Sequence, residues 1–126
     1  MQEFMLLIRN EGGKTATLPP DQHQRFLNEC QTYIGGLMKD GKLKSAQPLV
    51  REGKIISNSQ GSWKDGPFNE SNEIIVGYYH ILANDIDEAI SIAKRNPEFS
   101  YKASAKIEVR PIKSMEESTG FVYPKK

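Results

Sequence analysis

Cysteine and tryptophan each occur once in this chain of 126 residues, and histidine occurs twice. A lone Cys30 excludes an intrachain disulfide framework and a thiolate zinc cluster held within one chain. An excess of charge of one sign is also missing, since seventeen basic and sixteen acidic side chains leave a formal charge of +1. That near-balance gives no electrostatic footprint for nucleic acid or for an anionic membrane. No apolar run approaches the ~18 residues of a spanning helix, and Met1 leads straight into a strand-like segment rather than a signal peptide. A cytoplasmic address is therefore expected. There is no phosphate-cradling glycine loop, no nucleophile-elbow motif and no dinucleotide fingerprint. Two histidines without fixed local spacing point to no metal, and no cofactor is implied. What remains, 37% hydrophobic and 26% charged residues, is the composition of one ordinary globular domain.

Phe4-Met5-Leu6-Leu7-Ile8 is apolar at every position, the pattern of a strand covered on both faces. A polar stretch follows from Arg9 to Thr17, and Leu18-Pro19-Pro20-Asp21 reads as a helix entrance. Phe26, Leu27, Cys30, Tyr33, Ile34, Leu37 and Met38 then form one helical stripe. Gly35 and Gly36 lie inside it, either for close approach of another backbone or simply weakening the last turns. Gly41 supplies a C-terminal residue able to adopt positive φ. Ser45 to Val50 and Lys54 to Asn58, joined through Arg51-Glu52-Gly53, suggest a hairpin with Pro48 on an edge. Ser59 to Asn72 reads as a loop carrying two aromatic anchors, Trp63 and Phe68.

Ile74 to Ala83 is the strongest strand signal. Asp85 and Glu88 stand at capping-box spacing and open a second helix. Its buried stripe is expected to be Ile86, Ala89, Ile90 and Ala93, and Asn96-Pro97 stops it. In the last strand Ala105, Ile107 and Val109 alternate with Lys106, Glu108 and Arg110, and Pro111 ends the ladder. The order strand, helix, hairpin, strand, helix, strand predicts α+β, with a mostly antiparallel sheet and two helices on one face. This is a ferredoxin-like arrangement over residues 1–113. Residues 114–126 read as a polar tail, mobile or packed on a partner.

Lys64-Asp65-Gly66-Pro67-Phe68, followed by Glu70, Glu73 and Gly77-Tyr78-Tyr79, resembles the signature of the YCII-related family, in its DGPF branch. Phe4 to Leu7, Asp85 to Ala89 and Ile107 to Pro111 fit the same branch, so the resemblance covers residues 2 to 113. Val76-Gly77 and Ser45-Ala46-Gln47-Pro48 depart from the family's glycine-rich pattern. The resemblance implies a ferredoxin-like fold of the dimeric α/β-barrel type and mostly unassigned function. It also implies an association of some members with extracytoplasmic-function sigma factors, and includes a dehalogenase-like relative. A histidine on the first helix recurs in that family as half of a His-Asp pair, which would match His23 with Asp65 here.

The residues able to carry chemistry each admit a plainer reading. Asp65 is either a carboxylate at a pocket mouth or the cap of its own Asp-Gly-Pro turn, with Phe68 buried as its anchor. Glu70 and Glu73 are a carboxylate pair able to divide acid and base roles, or surface glutamates at a strand end. His80 and Tyr78 share one strand face, where His80 would move a proton and Tyr78 would orient a ligand. Glu73 or Asp65 is expected near enough to His80 to raise its pKa. Arg110 would bind a carboxylate bidentately or pair with a neighbouring Glu. Cys30 reads as core. Two functions follow: a small molecule bound or turned over in a pocket lined by Tyr78, His80, Asp65, Glu73 and Arg110, or a non-catalytic regulatory domain. A homodimer joined through its sheets is expected, because the helices cover one face only while Phe4 to Ile8 and Ile74-Ile75-Val76 want both faces buried.

Overall fold

The computed structural model describes residues 1–11, 18–50, 52–67 and 73–124 of the chain. Strand β1 (Gln2–Glu11) is followed by helix α1 (Pro20–Lys39) and strands β2 (Leu43–Pro48), β3 (Lys54–Ser59), β4 (Ser62–Pro67) and β5 (Glu73–Ala83). Helix α2 (Ile86–Lys94), the short helix α3 (Glu98–Tyr101) and strand β6 (Lys106–Pro111) complete the chain. β2, β5, β1 and β6 form a four-stranded sheet in that order, antiparallel throughout. This is the ferredoxin-like α+β fold, with the longest strands β1 and β5 at its centre.

Alternation along the central strands decides what is buried. Phe4, Leu6 and Ile8 of β1 face the helices and stand opposite Ile81, Tyr79 and Gly77 of β5. On the other flank Leu6 and Ile8 oppose Val109 and Ile107 of β6. Leu37 of α1 and Ala89, Ile92 and Ala93 of α2 close the core over them. In α2 the inward stripe is Ala89, Ile92 and Ala93, whereas the expected Ile86 and Ile90 are exposed. Ile92, three residues after Ala89 on the helix, takes the inward place instead.

Local signals at the helix ends hold. Pro20 occupies the first turn of α1. Gly41, at φ 70°, lets Lys42 N–H reach the carbonyl of Leu37 at 2.9 Å and end the helix. The Asp85 carboxylate accepts from Glu88 N–H at 2.8 Å, and the Glu88 carboxylate accepts from Asn84 N–H at 2.8 Å. α1 is locked to α2 by the Tyr33 hydroxyl, which donates to the Ile92 carbonyl at 2.7 Å.

The expected hairpin is corrected. β2 pairs with β5, and the hairpin is instead β3 with β4, a separate two-stranded sheet. Its turn is Gln60-Gly61, with φ of 50° and 85°, the mirror-image turn whose twist suits a two-residue hairpin. Asn58 Oδ1 accepts from Gly61 N–H at 3.0 Å and steadies it. Glutamine carries no strong signal for positive φ, so this turn is faint in the sequence. Asp65-Gly66-Pro67 is consequently strand rather than turn, and Trp63 is 74% exposed rather than an anchor. Phe68 lies outside the described residues.

The tail folds onto itself. Met115 and Val122 form an isolated bridge, Tyr123 N–H donates to the Ser114 carbonyl at 2.9 Å, and the rings of Phe121 and Tyr123 meet edge to face at 5.2 Å.

Candidate functional site

The amphipathic stripe of α1 is longer than the core beneath it. Towards its N-terminal end the helix stands off from the sheet, and a cavity of about 430 Å³ opens between the two. Phe26, Leu27 and Ile34 of α1 wall one side, and Ile8, Ala46, Val76 and Tyr79 of the sheet wall the other. His23, Cys30, Gln31, Gln47, Glu98 and Lys102 supply its polar groups. α3 closes one end and is held to α1 by the Tyr101 hydroxyl, which donates to Glu29, and by the edge-to-face contact of Tyr101 with Phe26 at 5.4 Å.

Glu98 is the residue the sequence reasoning missed. It is 9% exposed, and its Oε1 accepts from Asn10 Nδ2 at 2.9 Å. Asn10 is itself 1% exposed and accepts from Ser104 Oγ at 2.8 Å, while Glu98 N–H donates to Asn96 Oδ1 at 2.8 Å. Glu98 borders the cavity together with Cys30 of α1 and Tyr79 of the sheet. A glutamate just after Asn96-Pro97 looks like an ordinary first-turn acid. Its only early clue is Asn10, which breaks the apolar alternation of β1 on the inward face.

The groups around the cavity are donors rather than nucleophiles. Burial, and then the charges of Glu98 and Glu29, push the Cys30 thiol up to about 11. Burial pushes the Tyr79 phenol up to about 12 and also raises Tyr33. All three keep their protons near neutral pH. Among the described residues no cluster of three or more His, Cys, Asp or Glu is arranged to hold a metal ion.

The residues expected to line this pocket are mostly elsewhere. Of Tyr78, His80, Asp65, Glu73 and Arg110, Tyr78 alone borders the cavity, although strand alternation gives it the outward parity of His80. His80 lies on the opposite face of the sheet, beside Ser114, Tyr123 and Pro124 of the tail, with Nε2 2.8 Å from Glu3 Oε1 and Lys44 Nζ 3.7 Å from the same oxygen. Its carboxylate partner is thus Glu3, not Glu73 or Asp65. Glu73 pairs with Arg9 at 3.1 Å and Lys106 at 3.5 Å. Arg110 pairs with Glu108 at 3.0 Å, the plainer of its two readings. Asp65 sits exposed on the β3–β4 hairpin, 3.9 Å from Lys54, and does not border the cavity, so no His23–Asp65 pair forms there. His23 does border the cavity, from the first turns of α1. Glu70 lies outside the described residues.

Similarity to known proteins extends over most of the chain. The model of the YCII-related domain matches residues 3–116. An uncharacterized protein of Rhizobium meliloti is 26% identical over 113 residues, spanning 86% of this chain and 90% of the relative. The chain therefore belongs to the YCII-related family.

Proposed function

We propose that the protein binds a small, largely apolar molecule in the cavity between α1 and the sheet. The observation that carries this reading is the cavity itself: about 430 Å³, walled by aliphatic and aromatic side chains, with a buried carboxylate at one end. Sites for small ligands run from about 300 to 1,000 Å³ and combine apolar walls with a few placed polar groups. Protonated Cys30 and Tyr79 favour recognition over covalent chemistry. The test is a thermal-shift screen of small aromatic and aliphatic compounds on the wild type and on Ala46→Leu, which fills the cavity from the sheet side. A ligand at 100 times its Kd stabilises by about 2.7 kcal/mol. The reading requires hits that Ala46→Leu abolishes; hits that survive that substitution unchanged, or none at all, refute it.

A second reading concerns the sheet face away from the helices, where Tyr123 and Pro124 of the tail stand beside the His80 end. Met5 and Leu7 of β1, Tyr78 and Leu82 of β5 and the Glu3–His80 pair share that side, ringed by Arg9, Glu108 and Arg110. An apolar centre with charges of both signs at its rim suits a self-complementary two-fold interface with a second copy of the chain. Sedimentation equilibrium should give twice 14.2 kDa, and a mass of 14.2 kDa at tens of micromolar would refute it. A regulatory role through a larger partner, such as an extracytoplasmic-function sigma factor, would use the exposed Ile55, Ile56 and Trp63 of the hairpin instead.

A further inference from the structure

The face of the sheet away from the helices carries another cavity, of about 290 Å³, and its lining differs in kind from that under α1. Glu3 of β1, Lys44 of β2 and His80 of β5 line it from the sheet, and Lys113, Ser114, Tyr123 and Pro124 line it from the tail. The tail is tied down where it does this. Ile112 N–H donates to the Glu3 carbonyl at 2.9 Å, Tyr123 N–H donates to the Ser114 carbonyl at 2.9 Å, and Lys113 and the Tyr123 hydroxyl both reach Glu116 Oε1. Gly120, at φ 74°, lets the chain turn back between them.

The polar groups of this cavity are mainly donors. Lysine ammonium groups donate and never accept, and the hydroxyls of Ser114 and Tyr123 can do both. The carboxylate of Glu3 faces His80 Nε2 at 2.8 Å, and Lys113 is matched by Glu116 at 2.8 Å. Lys44 is different. Its side chain is only 37% exposed, yet Nζ stands 3.7 Å from Glu3 Oε1, longer than a hydrogen bond, and has no nearer acceptor among the described residues. An ammonium partly withdrawn from water, and given no hydrogen bond by the protein, is completed by an acceptor that enters from outside.

We propose that this cavity is a ligand site of its own, taking a small molecule with an anionic oxygen head, a carboxylate or a phosphate monoester, seated on Lys44 beside His80 under the tail. It shares no lining residue with the cavity under α1 and needs no second copy of the chain. A cationic head is disfavoured, since it would set its charge against Lys44 and Lys113. The volume, at the lower end of the range for small ligands, suits a head with a few carbons behind it.

The experiment titrates butyrate, monobutyl phosphate, butan-1-ol and butylammonium, which share one chain and differ in the head, into the full-length protein. The amide resonances of Lys44, His80, Ser114 and Tyr123 locate binding and give Kd. At least one of the two anions should bind about tenfold or more tighter than the alcohol, the span of one hydrogen bond to a charged group. The tighter of the two identifies the head. Butylammonium should leave these four amides unshifted. Lys44→Gln should remove the preference for the anion. Lys54→Gln deletes the same charge from the exposed hairpin and should change the anion's affinity by less than about twofold, because distant surface charges are screened by salt. If Lys44→Gln does not fold, the wild-type order of the four compounds and the position of the shifts decide alone. Anions bound no tighter than the alcohol, shifts confined to the cavity under α1, or equal losses in the two variants overturn the proposal. Failure of all four compounds to shift these amides overturns it too, and leaves the reading of the cavity under α1 standing.

Discussion

The same substitution should have opposite consequences at two glycines. A Cβ built on Gly36, in the last turns of α1, meets no heavy atom within 4 Å. A helical glycine without such a contact only adds freedom to the unfolded chain, so Gly36→Ala should stabilise by about 1 kcal/mol. A Cβ on Gly77 meets the Gln47 carbonyl oxygen at 3.0 Å and Pro48 Cα at 3.3 Å, both backbone atoms of the neighbouring strand. That strand cannot swing away freely, because Pro48 is in register with Gly77 and Leu49 N–H donates to the Val76 carbonyl at 2.8 Å. Overpacking of this kind costs about 1–3 kcal/mol. The chemical change is identical in the two variants, so their difference isolates the contact. With a urea m-value of about 2 kcal/mol/M, the two midpoints should lie roughly 1–2 M apart, with Gly36→Ala above the wild type. Urea melts followed by circular dichroism at one protein concentration would measure it. Coincident midpoints would refute the close approach of β2 to β5, and a Gly36→Ala midpoint below the wild type would mean that something packs against α1 there.

Other perturbations follow from the same geometry. Asp85→Ala removes the cap of α2 and should cost about 1 kcal/mol, read from the thermal midpoint, with Asp85→Asn close to wild type. Cys30, with its thiol pushed up to about 11, should react with a disulfide reagent at pH 8 far more slowly in the native protein than in urea; equal rates would contradict the burial assigned to it. Glu88 is held below its ordinary value of 4.5 by the Lys42 ammonium at 2.6 Å and then by Asn84 N–H, and Glu108 is held down by Arg110 and Arg9. A carboxylate depressed in the folded state gives its full stabilisation above the ordinary value and loses it as pH falls through that value towards the folded one. Stability should therefore decline on acidification through and below 4.5, and Glu88→Gln should flatten part of that decline in urea melts at stepped pH.

Much of the fold was legible because it rests on local patterns. The α1 stripe, the Pro20 entrance, the Gly41 stop and the Asp85–Glu88 cap are each set within a few residues. Parity along β5 was legible too, with Tyr79 and Ile81 on one face and Tyr78 and His80 on the other. Which face the helices would cover was harder to read, since Phe4 to Ile8 is apolar on both sides of β1. The expected pocket was consequently assembled from outward residues. The partners that matter are distant in the chain: Glu98 is set by Asn10, 88 residues away, and His80 by Glu3, 77 away. No window of local sequence contains such pairs. The hairpin was misplaced for a different reason, since Gln60 takes a backbone conformation that its side chain does not advertise.

The β3–β4 hairpin is spliced into a junction that did not need it. β2 and β5 are antiparallel neighbours, and Pro48 already stands opposite Gly77 where one ends and the other begins its pairing. Two strands so placed can be joined by a few residues. Because the ends of the insertion are fixed side by side, its length bears only weakly on the stability of the sheet, each doubling of a loop costing about 0.6 kcal/mol. The hairpin is thus a module that can be lengthened, recoloured or replaced by a short turn without disturbing the four-stranded frame. In hydrogen exchange its amides should open on their own, well before those of β1 and β5.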